Sequence, residues 1–270
     1  MTKKMLGIDI GGTGIKGAPV DLSDGSFVRD RFRVDTPQPS KPKAVAKVVA
    51  EIVEHFGWDG PVGVTYPGVV IDGVTMSAAN VSKHWIGLDA ASLLADATGR
   101  EVTLLNDADA AGVAEMRLGR GRGRRGTVLL LTLGTGIGSA LFTDGVLVPN
   151  TEFGHIEVNG VDAELRASAK ARDEEGLSWA KWAVRLSEYM ARLEALISPS
   201  LIIVSGGVSK RSEQFLPLIK GVQAEIVAAR LVNNAGIVGA ALTAARAQAS
   251  EAGAPVPREA GRKDGKRGRS

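Results

Sequence analysis

Two segments of the chain share a pattern of strand, glycine-rich turn and second strand, and this repeat restricts the fold more than any other feature. Residues 6–21 read LGIDIGGTGIKGAPVD, and residues 129–142 read LLLTLGTGIGSALF. Apolar residues flank the glycines on both sides, as in two strands joined by a tight turn. The copies lie about 120 residues apart. The repeat predicts a duplicated α/β fold, with two similar domains and a cleft between them.

The remaining patterns fit an α/β chain with buried strands. Hydrophobic residues make up 44% of the chain but aromatic residues only 4%, so the core must consist mainly of Val, Ile, Leu and Ala. Helical spacing of apolar residues predicts helices over residues 44–56, 88–98, 107–118, 177–197 and 234–249. Further strands are predicted over residues 27–34, 62–66, 101–105 and 201–204.

We expect three parts along the chain. Residues 1–106 form a small N-terminal α/β domain with the first hairpin and part of the substrate site, and residues 107–247 form a larger α/β domain with the second. Residues 248–270 are rich in Gly, Pro, Ala and charge, which predicts a disordered basic tail.

Composition excludes several classes of protein. The absence of cysteine excludes disulfides, thiolate metal sites and a cysteine nucleophile. No segment has the long apolar run of a signal peptide or membrane helix, so we expect a soluble, cytoplasmic protein without a membrane partner. The sequence pI is about 9.2 and the net charge is +3. Residues 258–270 alone carry +4, so the remaining residues carry −1. The rest is nearly neutral and poor in aromatic residues, which makes nucleic acid an unlikely partner.

The first glycine-rich turn contains a G-x-G-x-x-G string at residues 12–17, but its context excludes a dinucleotide fold. That fold requires a helix after the glycines, whereas this segment continues as a strand and turns at residues 21–25. The P-loop pattern G-x-x-x-x-G-K-[ST] is also absent. A hairpin tip with Gly11, Gly12 and Gly14 exposes backbone amides that suit a phosphate group. The alternative is that the glycines serve only the turn, and the matched second tip favours phosphate binding.

A second candidate feature is the pair Asn106-Asp107, where a predicted strand ends and a helix begins. Such a residue can simply cap the helix. Carboxylates at strand ends are also common catalytic groups in α/β proteins, and one facing a hydroxyl substrate can act as a general base.

Together these segments resemble the ROK family of sugar kinases, which have the actin/hexokinase/Hsp70-like ATPase fold. Besides the two hairpins, the matching motifs are LLNDADAAGVAE at 104–115, E-x-G-H at 152–155, LIIVSGGVSK at 201–210 and a small-residue helix around 235–245. The match covers about nine-tenths of the chain in the same order. The strings VTYPG at 64–68 and NVSKHWI at 80–86 are similar to the actinobacterial polyphosphate glucokinase branch.

The resemblance implies a role for each matching position. Asp107 is the catalytic base for the sugar 6-hydroxyl. The residues expected to hold sugar hydroxyls are Asn80, Asn106, Asp107, Glu152, His155 and Glu164. Those expected around the donor phosphates and Mg²⁺ are Asp9, Gly11, Gly12, Thr13, Lys16, Gly134, Thr135 and Gly136, and Asp9 holds the metal through water. The glycines expected to lie against a nucleotide base are Gly206 and Gly207.

Two departures from the family pattern change what is expected. The cysteine-rich metal loop after E-x-G-H is missing, so we expect no zinc and a sugar contact for His155. No helix-turn-helix precedes the first strand, which argues against a repressor.

The resemblance implies phosphoryl transfer from polyphosphate, ATP or both to glucose, with mannose left open. An ATP-only glucokinase and a non-catalytic sugar sensor or polyanion-binding module are the alternatives. Five arginines within residues 117–125 either grip a phosphate chain or form a solvated loop. Family members often form dimers, so a homodimer is an open expectation.

Overall fold

The computed structural model describes residues 4–79 and 81–252. The first half of the described chain consists, in order, of β1 (Lys4–Ile10), β2 (Gly14–Asp21), β3 (Phe32–Asp35), α1 (Pro42–Phe56), β4 (Val62–Tyr66), β5 (Val70–Ile71), β6 (Val74–Thr75), β7 (Leu88–Asp89), α2 (Ala90–Thr98), β8 (Val102–Asn106) and α3 (Asp107–Leu118). The second half consists of β9 (Thr127–Leu133), β10 (Ile137–Thr143), β11 (Val146–Val148), β12 (Glu157–Val158), β13 (Val161–Asp162), α4 (Ala163–Ala167), α5 (Ala169–Glu174), α6 (Trp179–Ile197), β14 (Leu201–Ser205), β15 (Glu225–Ala228) and α7 (Ala235–Glu251).

The two main sheets have the same topology. The first has the strand order β3-β2-β1-β4-β8, and the second has the order β11-β10-β9-β14-β15. In each sheet an antiparallel three-stranded meander is extended by two strands parallel to its inner edge. Both glycine-rich turns therefore join antiparallel strands. The predicted duplicated α/β fold and the rejection of a dinucleotide fold are both confirmed.

Helices cover both faces of each sheet, which explains why the strands are apolar on both sides. Along β9, Val128 and Leu130 face one core, while Leu129 and Leu131 face another that contains α6. On the first sheet, the outer core contains α1 and α2. This alternation follows from the two-residue period of a strand.

Helices α3 and α7 lie between the two sheets and share one core with both. That core includes Val20 of the first sheet and Leu130 of the second, with Val238 of α7. Helix α7 approaches the first sheet so closely that a Cβ on Gly7 or Gly63 would overlap one of its carbonyl oxygens. Glycine is required there because any side chain would force the helix away from the sheet.

Several element bounds differ from the sequence expectations. The third strand begins at Phe32 rather than at residue 27, because residues 28–31 leave the sheet after a single bridge from Phe27 to Val20. The helix expected from residue 88 begins at Ala90, since the Asp89 side chain caps it by accepting from the Ser92 amide. The small sheet of β5, β6 and β7 was not anticipated.

The C-terminal helix also extends further than expected. It runs to Glu251, so the first residues of the segment expected to be disordered are helical, and residues 253–270 lie outside the described part.

The domain division at residue 106 stays a prediction. α7 follows the second sheet in sequence but packs against β1 and β4 of the first. Within the described ranges, no helix combines the length and apolar character needed to cross a membrane.

Candidate active site

The candidate site lies where three parallel strands of the first sheet end. Asp9 of β1 is in register with Thr65 of β4, and Tyr66 of β4 is in register with Asn106 of β8. Asp107 follows at once as the first residue of α3. This carboxyl edge is where α/β sheets usually bind their ligands.

Asp9 is held by its neighbours in the sheet. Lys16 is its cross-strand partner on β2, and the lysine Nζ lies 3.3 Å from Asp9 Oδ2. Thr65 Oγ1 donates to Asp9 Oδ1 at 2.8 Å and accepts from the Ile10 amide at 3.2 Å. Gly236, in the first turn of α7, leaves room for the carboxylate because a Cβ there would lie 3.0 Å from Asp9 Oδ1. Both carboxylate oxygens therefore have fixed partners.

Asn106 caps helix α3 and fixes the position of Asp107. Its Oδ1 accepts from the amides of Ala108 and Asp109 at 2.8 and 3.0 Å, and its Nδ2 donates to the Gly68 carbonyl at 3.0 Å. Asn106 is 7% exposed. The capping interpretation thus accounts for most of its side chain, and only the second amide hydrogen is available for a sugar hydroxyl.

The Asp107 carboxyl has an unusual protonation equilibrium. Burial raises its pKa first, and the negative charges of Asp9 and Glu152 raise it further, while the Ala108 amide opposes them; the resulting pKa is about 7. Asp107 Oδ1 accepts from that amide at 2.8 Å. A carboxyl with a pKa near neutrality can take up a proton from a hydroxyl group and release it again.

The first hairpin tip presents backbone amides rather than carbonyl oxygens. The Gly11 amide donates to the Gly14 carbonyl at 3.1 Å across the turn. The carbonyls of Gly11, Gly12 and Thr13 accept hydrogen bonds from the side chains of Thr36, Gln38 and Arg33, respectively. Within the described residues the Gly12 and Thr13 amides have no partner. An array of unpaired amides suits an anion.

The second hairpin tip faces a pocket. The Gly134 amide donates to the Gly136 carbonyl at 2.9 Å, which is similar to the turn bond of the first hairpin. A pocket of about 270 Å³ is lined by Gly134, Thr135, Ala169, Lys170, Asp173 and Glu174. Gly206 packs so closely on Leu133 that a Cβ would overlap the Leu133 carbonyl, and its φ of 89° also requires glycine. The segment expected to hold a nucleotide base therefore adjoins this tip.

The expected sugar-binding residues follow β11 and continue into α4. Glu152 is exposed, yet the surrounding protein removes enough water from its carboxyl group to raise its pKa. The positive charge of His155 lowers this pKa, and the negative charge of Glu164 raises it. His155 Nδ1 lies 2.9 Å from Asp162 Oδ2, and this hydrogen bond is the main cause of its raised pKa. Glu164 Oε2 accepts from the Ile137 amide at 2.8 Å, so Glu164 also supports the second hairpin tip.

The described candidates are connected by short-range contacts: Asp9 and Glu152 lie close enough to Asp107 to raise its pKa. Glu164 is coupled to Glu152 and also binds the Ile137 amide beside the second hairpin tip. Asn80 lies outside the described residues, and its sugar contact stays a prediction. Sequence reasoning missed three supporting residues: Thr65, Asp109 and Asn150. The only signal for Asp109 was an acidic residue on a helix otherwise rich in alanine.

The arginine-rich loop lies at the end of α3 opposite Asp107. It follows α3, whose first residue is Asp107, and precedes β9, whose far end carries the second hairpin tip. A helix of this length spans about 17 Å. Arg124 pairs with Glu225 at 2.6 Å. The loop therefore does not line the cleft.

Among the described side chains, no group of three or more His, Asp or Glu is arranged to hold a metal ion.

Comparisons with known proteins agree with this architecture. The family model for the ROK family matches residues 5–175. A polyphosphate glucokinase from Mycobacterium tuberculosis is 50% identical over 238 residues, which cover 88% of this chain and 89% of the relative.

Two solved structures are also similar. One is an inorganic polyphosphate/ATP-glucomannokinase from Arthrobacter sp. strain KM, with 52% identity, a TM-score of 0.86 and coverage of 90% of this chain and 99% of that one. The other is a ROK family glucokinase from Streptomyces griseus in complex with glucose and AMPPNP, with 26% identity, a TM-score of 0.76 and coverage of 90% and 99%. This architecture, together with the relatives it matches, identifies a sugar kinase. The chain belongs to the ROK family.

Proposed function

We propose that the chain transfers the terminal phosphoryl group of inorganic polyphosphate or ATP to the 6-hydroxyl of glucose. The observation that carries this proposal is Asp107, a carboxyl with a pKa of about 7 at the head of α3, between the hairpin of β1 and β2 and the loop with Glu152. Relatives at 50% and 52% identity are named for polyphosphate as donor, which supports the choice of donor.

In the proposed reaction Asp107 acts as general base. The 6-hydroxyl oxygen forms a bond to the terminal phosphorus, and the bond from that phosphorus to its bridging oxygen breaks. The hydroxyl proton passes to the Asp107 carboxylate, and the shortened phosphate chain or ADP leaves. Most of the rate enhancement comes from positioning and from neutralising charge on the transferred group.

The hairpin tips hold the donor phosphates. The first tip offers the unpaired amides of Gly12 and Thr13, and Lys16 beside Asp9 adds a positive charge. Gly134, Thr135 and the neighbouring Lys170 line the pocket on the second. Amides on both sides of the cleft can bind consecutive phosphates without a nucleotide, so the same geometry serves polyphosphate and ATP. With ATP, Gly206 and Gly207 lie near the base.

Magnesium fits the residues present. Mg²⁺ in phosphoryl-transfer sites keeps several waters and takes one or two carboxylates plus substrate phosphates. Asp9, held in place by Thr65 and Lys16, would supply the carboxylate that holds the metal through water. When bound, the metal neutralises charge on the donor phosphates.

Three further expectations stay predictions: the acceptor, which is glucose alone or glucose plus mannose, a homodimer, and a cytoplasmic location.

Glu152, His155 and Glu164 are proposed to hold the sugar hydroxyls. Glu152 and Glu164 are acceptors for hydroxyl protons, and His155 is oriented by Asp162 so that its other ring nitrogen remains available. A purely ATP-dependent glucokinase is the main alternative. It is less favoured because the ATP-analogue complex is 26% identical, about half the identity of the polyphosphate relatives.

One experiment tests the proposal and separates the alternatives. Formation of glucose 6-phosphate is measured with polyphosphate and with ATP, each at saturating Mg²⁺, on one preparation of the full chain. Turnover with polyphosphate supports the proposal, and turnover with ATP alone supports the alternative. Sugar binding without turnover on either donor identifies a sensor. Asp107→Asn provides the background rate of a contaminating kinase.

A further inference from the structure

Asn150 joins the two halves of the molecule. It lies between β11 and the segment that carries Glu152. Its Oδ1 accepts from the Val70 amide at 2.9 Å, and its Nδ2 donates to the Val70 carbonyl at 2.8 Å. One side chain thus pairs both backbone groups of a residue in β5, as a neighbouring strand would. Val70 belongs to the first half, two residues after Gly68.

Asp109 holds Asn150 from the opposite side. The Asp109 side chain lies in the first turn of α3 and is buried, with 2% of the residue exposed. Its Oδ2 accepts from the Asn150 amide at 2.8 Å. Its Oδ1 is buried with no hydrogen-bond partner among the described residues. A buried carboxyl with an unpaired oxygen is costly, so its presence requires a reason beyond packing.

The contacts close a ring around the head of α3. Asn106 caps the helix and also donates to the Gly68 carbonyl at 3.0 Å. Asp109, one turn further, reaches the same segment of the first half through Asn150 and Val70. The helix that presents Asp107 is therefore tied to residues 68–70 at two points, and Asn150 takes part in one of them.

We propose that Asp109 and Asn150 are positioning residues. They fix the segment that carries Glu152 relative to the catalytic base Asp107. Asp109 lies two residues after Asp107, and Asn150 lies two residues before Glu152. The hydrogen bond between them is therefore a short, direct link from the helix of the base to the loop that holds sugar hydroxyls. A displacement of about 1 Å in such a site can cost a factor of about 100 in rate. This inference rests on the proposed function.

The first test removes the Asn150 side chain without changing the backbone. Asn150 has a φ of 58°, which glycine adopts freely, so Asn150→Gly removes the pairing with Val70 and introduces no strain. We expect the KM for glucose to rise about tenfold or more, as for a loss of about 1.4 kcal/mol in binding. The KM for the phosphate donor should stay within about twofold of the wild-type value, since the hairpin tips are untouched.

Asn159→Gly is the matched control. Asn159 also has a left-handed backbone, with a φ of 56°, and lies in the exposed turn between β12 and β13. Its side chain donates to Glu188 at 3.2 Å. The control should keep the wild-type KM for both substrates. If Asn150→Gly changes the glucose KM no more than Asn159→Gly does, the proposal is wrong.

The second test separates the hydrogen bond from the charge. In Asp109→Asn the amide oxygen still accepts from the Asn150 backbone, whereas Asp109→Ala removes the acceptor. We expect the alanine variant to raise the glucose KM about tenfold and the asparagine variant to restore it to within about threefold of wild type. Equal impairment of the two variants would overturn the proposal, because the charge rather than the hydrogen bond would then matter.

A combined variant provides a further readout. Asp109→Ala with Asn150→Gly should raise the glucose KM by less than the product of the single effects. The two changes interrupt one shared link at different points, because hydrogen bonds run in series from Asp109 to the Asn150 backbone amide and from the Asn150 side chain to Val70. Effects that multiply would contradict a shared link.

Failure of the wild-type protein to phosphorylate glucose would reject the proposed function instead, so the two failures are distinguishable. Should Asp109→Ala not fold, Asn150→Gly and Asp109→Asn still decide the question.

Discussion

The half-buried Asp107 carboxyl lies next to the negative charge of Asp9, and its removal from water, followed by that charge, raises its pKa to about 7. The topology brings them together. Asp9 lies near the end of β1 and Asp107 directly after β8, and β4 is the single strand between them. A base placed opposite a second carboxylate is poised to take up a proton near neutral pH. Cations and donor phosphates bound in the cleft would alter that balance.

Replacing this base should abolish turnover and leave sugar binding in place. We expect Asp107→Asn to lower kcat by a factor of about 100 to 10,000, the usual contribution of a general base, with the glucose dissociation constant changed less than about fivefold. Steady-state assays and calorimetric titration with glucose measure the two quantities. Asp96→Asn, on the exposed face of α2, is the control and should retain full activity. Near-normal turnover of Asp107→Asn would mean that another group removes the proton.

The pH dependence of turnover follows from the same pKa. The base acts when deprotonated, so kcat/KM should be constant well above pH 7 and fall about tenfold per unit below it. This pKa belongs to the free enzyme, so the profile is measured at low glucose concentration. Asp9→Asn removes one of the charges that raise the pKa, and its residual activity should fall at a lower pH than that of the wild type. An unchanged midpoint in Asp9→Asn would contradict the assigned coupling.

The raised pKa also predicts a pH-dependent effect on stability. Between the ordinary Asp value of 3.8 and about 7, the folded state binds more protons at Asp107 than the unfolded state does, so the stability contributed by this site falls as pH rises. Asp107→Asn removes that loss. We expect the variant to exceed the wild type in free energy of unfolding by on the order of 2 kcal/mol at pH 8, and by much less at pH 5. Urea unfolding at both pH values measures the difference.

The sequence predicted those features that depend on neighbours along the chain. The bounds of α3 and β4 were predicted to the residue, because an Asn-Asp cap and a run of apolar residues define them locally. The two hairpins followed from glycines between alternating strands. The same patterns located Asp9 and Asp107, which stand at the ends of strands.

Contacts between distant residues were not accessible in the same way. Asn150 and Val70 are 80 positions apart, and nothing in either segment indicates that an amide side chain pairs with that backbone. The position of the arginine-rich loop was also misleading in the sequence. It adjoins both the helix of the base and the second phosphate strand in sequence, yet it lies at the end of α3 opposite Asp107 and at the end of β9 opposite the second hairpin tip.

Close packing between α7 and the first sheet should make one glycine essential for folding. A Cβ on Gly63 would overlap the Ala240 carbonyl, and backbone on both sides prevents relaxation. We expect Gly63→Ala to cost about 3 kcal/mol or more, with a fall of roughly 10 °C in Tm. Gly134→Ala is the matched control, since no atom lies within 4 Å of the added Cβ. Its Tm should be unchanged; comparable losses in both variants would contradict the packing argument.

The last prediction concerns whether the arginine-rich loop takes part in binding polyphosphate. Because the loop lies about 17 Å of helix away from Asp107, a short donor bound at the hairpin tips cannot reach it. The triple variant Arg120→Gln, Arg122→Gln, Arg125→Gln should keep the KM for short polyphosphate within about twofold of wild type, whereas Lys16→Gln at the tip should raise it about tenfold. Arg124 is left in place because it pairs with Glu225. Measuring KM against chain length, with ATP as reference, extends the test. A rise in KM for long chains only would mean that a chain leaving the cleft follows the surface to the loop, and a rise for short chains would contradict the placement of the donor at the hairpins.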